Sequence, residues 1–208
     1  MEGYRTIGEV GEAELVVRKS RFIGRAAPVK DEQQATDFVA GVRKKHPQAA
    51  HNCYAYILDD ANMKASDDGE PSGTAGRPIL EVLRRQQMEK VAVVVTRYFG
   101  GTLLGAGGLV RAYSQAAVRA VAAAGPGQVI PCRMLNIETD YSSYGRLEQY
   151  LRQHDIETED SQFTENVRVA IGIPVDALSE TEAQVLELLQ GRASIKHGRQ
   201  FARFVKGR

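Results

Sequence analysis

The 208-residue sequence predicts an α+β protein of two domains. Its first part combines segments of alternating polarity with helical apolar stripes around the wholly apolar run Val91–Val95. The stretch Gly125–Cys132 then brings two glycines and two prolines together, which indicates a domain boundary. Beyond it the segments follow the order βαββαβ, the ferredoxin-like pattern. We therefore expect domains at residues 1–128 and 133–208.

The N-terminal domain begins with strands and an amphipathic helix. Thr6–Val29 is rich in Val, Ile and Phe and alternates in polarity, which predicts two strands. Asp31 opens a helix because Gln34 stands three residues on, at the capping-box spacing, and an apolar stripe continues from there to Pro47. His51–Leu58 alternates again and predicts another strand.

Two loops that each precede a helix come next. The polar loop Ala65–Gly76 leads into a helix with Pro78 in its first turn, where proline is favoured. Val91–Val95 predicts a central strand, and a glycine-rich loop connects it to the helix Leu109–Ala124.

The C-terminal domain should contain four strands and two helices. Its last segment, from Gly191 on, has six Lys or Arg and no acid, with Phe201 and Phe204 among them. Such a mixture suits RNA, but a final strand with phenylalanines packed on the core explains it slightly better. The predicted elements are strand Met134–Thr139, helix Ser142–Gln153, strands Ile156–Phe163 and Val167–Pro174, helix Glu180–Gln190 and a strand from Ala193.

Composition restricts the function classes. The net charge of +1 argues against a globally basic nucleic-acid binder, although a local basic patch is compatible with it. There is no secretory pattern at the N-terminus and no apolar run of about 18 residues, so we expect neither export nor membrane insertion. Cys53 and Cys132 lie far apart and favour a reduced cytoplasmic setting.

The glycine-rich loop after Val95 is the first candidate binding site. It follows neither the Rossmann nor the P-loop spacing, yet its amides at a helix start could bind an anion. The other interpretation is structural, because glycines allow positive φ and close packing. The candidate residues are the five glycines and their flanking side chains: Arg97, Tyr98, Gly100, Gly101, Gly105, Gly107, Gly108 and Arg111.

The acidic loop Ser66–Pro78 is the second candidate. Its carboxylates could hold Mg²⁺. We expect instead that they pair with Arg97 and Arg111, since the spacing lacks a closing acid, and we predict no metal or cofactor. Its helix start also offers amides to an anion. The candidate residues are Asp67, Asp68, Glu70, Ser72, Thr74 and Arg77.

The segment His51–Cys53 is the third candidate. His51 and Cys53 stand two residues apart on a strand and therefore share a face, with Asn52 between them. A Cys–His nucleophilic pair is conceivable, but a free cysteine in a strand more often packs in the core.

Four motifs of the first part are specific enough to indicate a family. In chain order they are SRFIGRAAPV, HNCYAY, SDDGEPSGTAGRP and VVVTRYFGGTLLGAGGLVRAYS. In this order they resemble the YigZ/IMPACT family, whose bacterial members are relatives of the eukaryotic IMPACT protein. The resemblance covers residues 1 to about 125 and is specific, and the C-terminal half resembles the family's ferredoxin-like domain at the level of pattern.

This resemblance implies a fold and a broad function. The N-terminal domain should share the α/β fold found in the second domain of a small-subunit ribosomal protein, in elongation factor G and in the GHMP kinases. The C-terminal domain should resemble the last domain of elongation factor G. IMPACT-like proteins are linked to the control of translation. In eukaryotes they compete for an activator of an initiation-factor kinase. Bacteria lack that kinase, so the resemblance does not imply this partner for a bacterial relative.

We therefore favour a non-enzymatic regulator that binds RNA, the ribosome or a translation factor. The alternative is an enzyme acting on a phosphorylated small molecule or nucleotide at the same loops, and the oligomeric state stays open. In both cases we expect the acidic and glycine-rich loops to form one polar surface, here called the loop face. We expect Arg97 and Arg111 to be held there by acidic-loop carboxylates until a ligand competes.

Overall fold

The computed structural model describes residues 2–207 and divides the chain into two compact units. Of the described residues, the first unit contains Tyr4–Val129 with residues 204–207, and the second contains residues 2–3 with Ile130–Arg203. Both units combine strands and helices, so the predicted α+β class is confirmed. No helix within residues 2–207 is long and apolar enough to span a membrane.

The first unit is built on a five-stranded sheet with the order β2-β3-β6-β4-β5, in which all neighbours are antiparallel. The segment Thr6–Val29, expected to form two strands, lies in three. The short first strand pairs with Pro126–Val129 rather than with this sheet. The elements are β1 (Tyr4–Ile7), β2 (Gly11–Val17), β3 (Ser20–Pro28), α1 (Glu32–Lys45), β4 (His51–Ile57), β5 (Met63–Ser66), α2 (Gly76–Arg85), β6 (Val91–Tyr98) and α3 (Ala106–Ala123).

Strand β6 lies at the centre of this sheet, as its apolar sequence predicts, and Val91–Arg97 are all buried. Helices α2 and α3 cover one face with an extensive apolar core, and α1 covers the other with Val39 and Val42. The predicted cap of α1 is present, since the Asp31 side chain accepts a hydrogen bond of 2.8 Å from the Gln34 amide. The sheet thus presents the end of β6 and its neighbours to the connecting loops.

The second unit has the βαββαβ order and the strand order β10-β7-β9-β8 of a ferredoxin-like sheet. Its core includes Leu135, Ile137 and Ile171 from the sheet and Leu147 and Val185 from the helices. The elements are β7 (Pro126–Thr139), α4 (Tyr141–Gln153), β8 (Thr158–Phe163), β9 (Val167–Pro174), a 3₁₀ turn (Val175–Ala177), α5 (Leu178–Leu188) and β10 (Ala193–Lys206).

The stretch Gly125–Cys132 differs from its expected role as a boundary loop. From Pro126 on it lies in β7, because its prolines occupy positions that a strand tolerates. The two compact units change over between Val129 and Ile130, within this strand.

Candidate functional site

A buried ion pair joins the two loops of the loop face. Arg97, near the end of β6, donates through Nη1 to Glu70 Oε1 at 2.6 Å, and the Tyr113 hydroxyl donates to the same oxygen at 2.7 Å. The side chains of Arg97 and Glu70 are only 6% and 3% exposed. The guanidinium also lies 5.5 Å from the ring centroids of both Phe22 and Phe99. Strand β6, the acidic loop and α3 are therefore held together by one buried carboxylate.

The predicted pairing of Arg97 with an acidic-loop residue is present, but it does not leave Arg97 at the surface. A ligand could reach the guanidinium only by breaking a buried, charge-assisted contact, which is costly. Arg97 is therefore a buried framework residue of the loop face.

Asp67 occupies the amides that were expected to bind an anion at the start of α2. Its Oδ1 accepts from the amides of Ala75 and Gly76 at 3.0 and 2.8 Å, and its Oδ2 accepts from Gly73 at 2.8 Å. Burial raises the pKa of this carboxyl, but the three amide donors outweigh burial and the pKa is lowered. The side chain of Asp67 thus fills the anion site predicted at Thr74–Arg77.

Asp68 holds the acidic loop against β4 and α1. Its carboxylate accepts from the Asn52 amide at 2.7 Å and forms an ion pair with Arg43, while its carbonyl lies 2.8 Å from His51 Nδ1. The expectation that Asp68 pairs with Arg97 or Arg111 is therefore wrong, because Arg43, 25 residues before it in the sequence, takes the carboxylate.

His51, Asn52 and Cys53 have structural surroundings. His51 Nε2 lies 3.9 Å from Glu70 Oε2, and the buried Asn52 side chain accepts from Thr96 at 2.8 Å. Cys53 is fully buried, and burial is the main cause that raises its pKa to about 12. The thiol is protonated at neutral pH, so the Cys–His pair is not arranged as a nucleophile.

The glycine-rich loop packs closely at one end and opens a helix at the other. A side chain at Gly100 would collide with the backbone of Lys19 and Ser20, and its amide donates to Ser20 Oγ at 3.2 Å. Gly105 has φ 72° at the start of α3, and no side chain caps this helix. Gly107 and Gly108 lie in the first turn, so their amides face a helix start that the protein leaves uncapped.

Arg111 lies one turn further along α3 and is exposed. It lines one small depression with Gly108, Leu104 and Arg18. Within residues 2–207 Arg111 forms no salt bridge, so the prediction that an acidic-loop carboxylate holds it is wrong. The nearby carboxylates have closer partners in Arg97, Arg43 and backbone amides.

Arg18 and Lys19 belong to this surface, although sequence reasoning did not single them out. They form the two-residue turn between β2 and β3 with φ values of 44° and 67°, a region in which Asn and Gly are the favoured residues. Both side chains are exposed, and within the described residues neither forms a salt bridge. The sequence feature that could have identified them is the concentration of three basic residues in the four positions from Arg18 to Arg21.

The remaining candidates are dispersed. The Tyr98 hydroxyl bonds to His46 Nδ1 at 2.8 Å, Gly101 is exposed with φ 79°, and Ser72 is exposed in the acidic loop. Thr74 is buried, and its hydroxyl donates to the Pro71 carbonyl at 2.6 Å. Arg77 is exposed on α2. In the part of the chain described, no three His, Cys, Asp or Glu side chains converge as metal ligands.

Comparison with known proteins places these residues in a family. Residues 18–121 match the Impact N-terminal domain, and residues 137–192 match a domain of unknown function, DUF1949. The IMPACT family member YvyE of Bacillus subtilis is 38% identical over 200 residues, covering 95% of this chain and 92% of that protein. The chain belongs to the IMPACT family. The buried ion pair, the uncapped start of α3 and Arg111 all lie within the Impact N-terminal match.

Other IMPACT relatives show how far the similarity extends. YigZ of Escherichia coli is 33% identical, covering 84% of this chain and 88% of the relative. A solved structure of a hypothetical protein aligns with a TM-score of 0.60 at 31% identity, covering 94% of this chain and 97% of that one. Protein IMPACT of Rattus norvegicus is 35% identical over 100 residues, only 31% of its length, so the eukaryotic similarity covers a part of that protein.

Proposed function

We propose that this IMPACT-family protein is a non-enzymatic, translation-linked regulator in the cytoplasm that binds structured ribosomal RNA through the loop face. The observation that carries the proposal is a division of charge. Each carboxylate of the acidic loop has an internal partner, whereas Arg18, Lys19 and Arg111 form no salt bridge within residues 2–207. We further propose residues 1–128 as the RNA-binding domain and residues 133–208 as a separate domain.

This division creates a local cationic surface on a protein of near-neutral charge. Arg43 and Arg97 neutralise the carboxylates of Asp68 and Glu70, which reduces their repulsion of an approaching polyanion. The exposed cations can then displace counterions from that polyanion. The net charge of +1 therefore does not argue against RNA contact at this face.

The chemistry of the surface suits phosphate. The start of an uncapped helix attracts anions through its amides and its dipole, and Arg111 one turn further on adds a guanidinium that can bind a phosphate in a bidentate manner. Phe99, the residue before the glycine-rich loop, is 52% exposed and offers a ring on which a base can stack.

The unusual turn conformation of Arg18 and Lys19 supports the same conclusion. Non-glycine residues at positive φ cost stability, and such strain is found at functional sites. Two basic residues at positions that favour Asn and Gly indicate that their side chains serve binding and not the turn itself.

One observation favours the alternative of an enzyme for a phosphorylated small molecule. Arg18, Gly108 and Arg111 line one small depression, which brings two cationic side chains to the uncapped start of α3, as a phosphate site would require. Against this alternative, Asp67 fills the other helix start, and burial keeps the Cys53 thiol protonated. A thermal shift produced by a nucleotide or sugar phosphate, but not by RNA, would favour the enzyme.

Co-sedimentation with purified ribosomes across a salt series tests the proposal. The double variant Arg18→Asn/Lys19→Gly removes two cations while supplying the residues that this turn prefers, so its fold is preserved. We expect the slope of log K against log salt to fall by about one for each phosphate that the variant no longer neutralises, with a further fall in Arg111→Ala.

The control is Arg152→Ala, which removes an exposed cation that pairs with Glu148 on α4 of the second unit. An unchanged slope in the turn variant and in Arg111→Ala would contradict RNA binding at this face. Binding to intact ribosomes without binding to the isolated ribosomal RNA would instead indicate a protein contact.

A further inference from the structure

A second surface of the first unit is a groove between α2 and α3, here called the α2–α3 groove. Helix α2 contributes Arg77, Glu81 and Arg85, and α3 contributes Val110, Ser114 and Val118. Both sets have i, i+4, i+8 spacing, so each forms a straight row along its helix. The rows run for about 12 Å, or roughly two helical turns.

The floor of this groove is apolar. Pro78 and Val82 line it from α2 and are buried, whereas Val110 and Val118 are 38% and 45% exposed. The exposed valines at the two ends of this row form an apolar surface without a covering element in residues 2–207. Ser114 between them supplies the one hydroxyl of the row.

The rim of the groove is positively charged. Glu81 forms a salt bridge of 3.7 Å with Arg84 on the same helix. Within the described residues Arg77 and Arg85 form no salt bridge, and both are exposed. The rim of α2 therefore presents two uncompensated cations beside an apolar floor.

We propose that the α2–α3 groove binds an acidic amphipathic helix of a partner protein. A helix laid between two helices contacts them through residues at i, i+3, i+4 and i+7, which matches an apolar floor of this length. Acidic residues flanking that apolar stripe would face Arg77 and Arg85. This inference does not depend on RNA binding at the loop face, which uses a different row of α3.

The composition of the groove distinguishes this occupant from RNA. Surfaces for single-stranded nucleic acid combine cations with aromatic rings for stacking and with polar donors. No aromatic side chain lines this groove, and its floor offers valine and proline instead. The charge of the rim would suit either an acidic helix or a nucleic acid. Covering the apolar floor is favourable only when apolar side chains of the ligand bury it.

The test uses a synthetic 18-residue helical peptide with leucines at i, i+4 and i+7 and glutamates flanking them. A second peptide carries lysine in place of every glutamate. We expect the full-length protein to bind the glutamate peptide at least about tenfold more tightly in fluorescence anisotropy. Arg77→Glu/Arg85→Glu should reverse this preference, and Val118→Asn should weaken both peptides.

Arg146→Glu/Arg152→Glu on α4 makes the same change in charge on another exposed helix and serves as the control. Equal binding of the two peptides, or a reversal in the control as large as in the groove variant, would overturn the proposal. It would also fail if light scattering showed a dimer that Val118→Asn dissociates, because the groove would then hold a second copy of the chain. Displacement of the peptide by RNA with groove-dependent affinity would overturn it in favour of RNA.

Discussion

Replacing Arg97 by methionine should destabilise the first unit severely. The substitution keeps an unbranched chain among Phe22 and Phe99 but removes the cation that faces Glu70 at 2.6 Å. Because the Glu70 side chain is 3% exposed, its carboxylate would remain buried with the Tyr113 hydroxyl as its remaining short contact.

Removing one partner of a buried ion pair typically costs about 3–5 kcal/mol, because the other charge is left without compensation. A domain is stable by about 5–15 kcal/mol, so this single change takes a large part of the total. The double variant Arg97→Met/Glu70→Leu removes both charges. It should lose only about 1–3 kcal/mol, chiefly because the Tyr113 hydroxyl loses its acceptor.

Hydrogen exchange of the β6 amides under native conditions measures the stability of the first unit alone. A single unfolding curve of a chain with two units does not separate the stabilities of the two units. Arg111→Met is the matched control, since this exposed arginine lies within 14 residues of Arg97 in sequence and should cost less than about 0.5 kcal/mol. The reasoning is refuted if Arg97→Met costs no more than Arg111→Met, or if the double variant costs as much as the two single changes together.

Three further outcomes follow from individual contacts. The pKa of Asp67 is lowered, so the ionised carboxylate stabilises the fold above the ordinary aspartate pKa of about 4, and this stabilisation is lost as the pH falls below it. The stability advantage of wild type over Asp67→Asn in urea titrations should therefore shrink as the pH falls below about 4. Cys53, with a pKa of about 12, should resist iodoacetamide at pH 8 in the native state and react once urea unfolds the chain. Asp31→Ala should lower stability by about 1 kcal/mol in urea unfolding, whereas Gln33→Ala in the same turn should have a smaller effect.

Local patterns predicted the elements that depend on neighbouring residues. The apolar run Val91–Val95 identified the central strand because a strand covered on both faces has no polar side. The spacing of Asp31 and Gln34 predicted the start of α1, because the two side chains that cap the helix stand only three residues apart in the sequence. The short strands β1 and β5 were missed because four residues carry too little alternation to be distinguished from a loop.

The roles of the charged residues depend on contacts that are distant in sequence. Arg97 and Arg111 flank the same glycine-rich loop, and their residue type and distance from the glycines do not predict their different partners. Arg97 follows a buried run in β6 and alternates toward the core, where Glu70 and Tyr113 meet it. Arg111 lies on the exposed side of α3. Only the packing of α3 against the sheet determines which of the two becomes internal.

The acidic loop explains why the same cluster of charges first suggested a binding site. A loop with Asp67, Asp68 and Glu70 looks like a ligand for metals or cations, yet each carboxylate is used to hold a different element: α2, α1 and β6. Under the proposed RNA binding, this internal use of the acids would reduce their repulsion of a polyanion at the loop face. Among the described residues the two arginines therefore differ in their partners, since Arg97 is buried against Glu70 whereas Arg111 is exposed and forms no salt bridge.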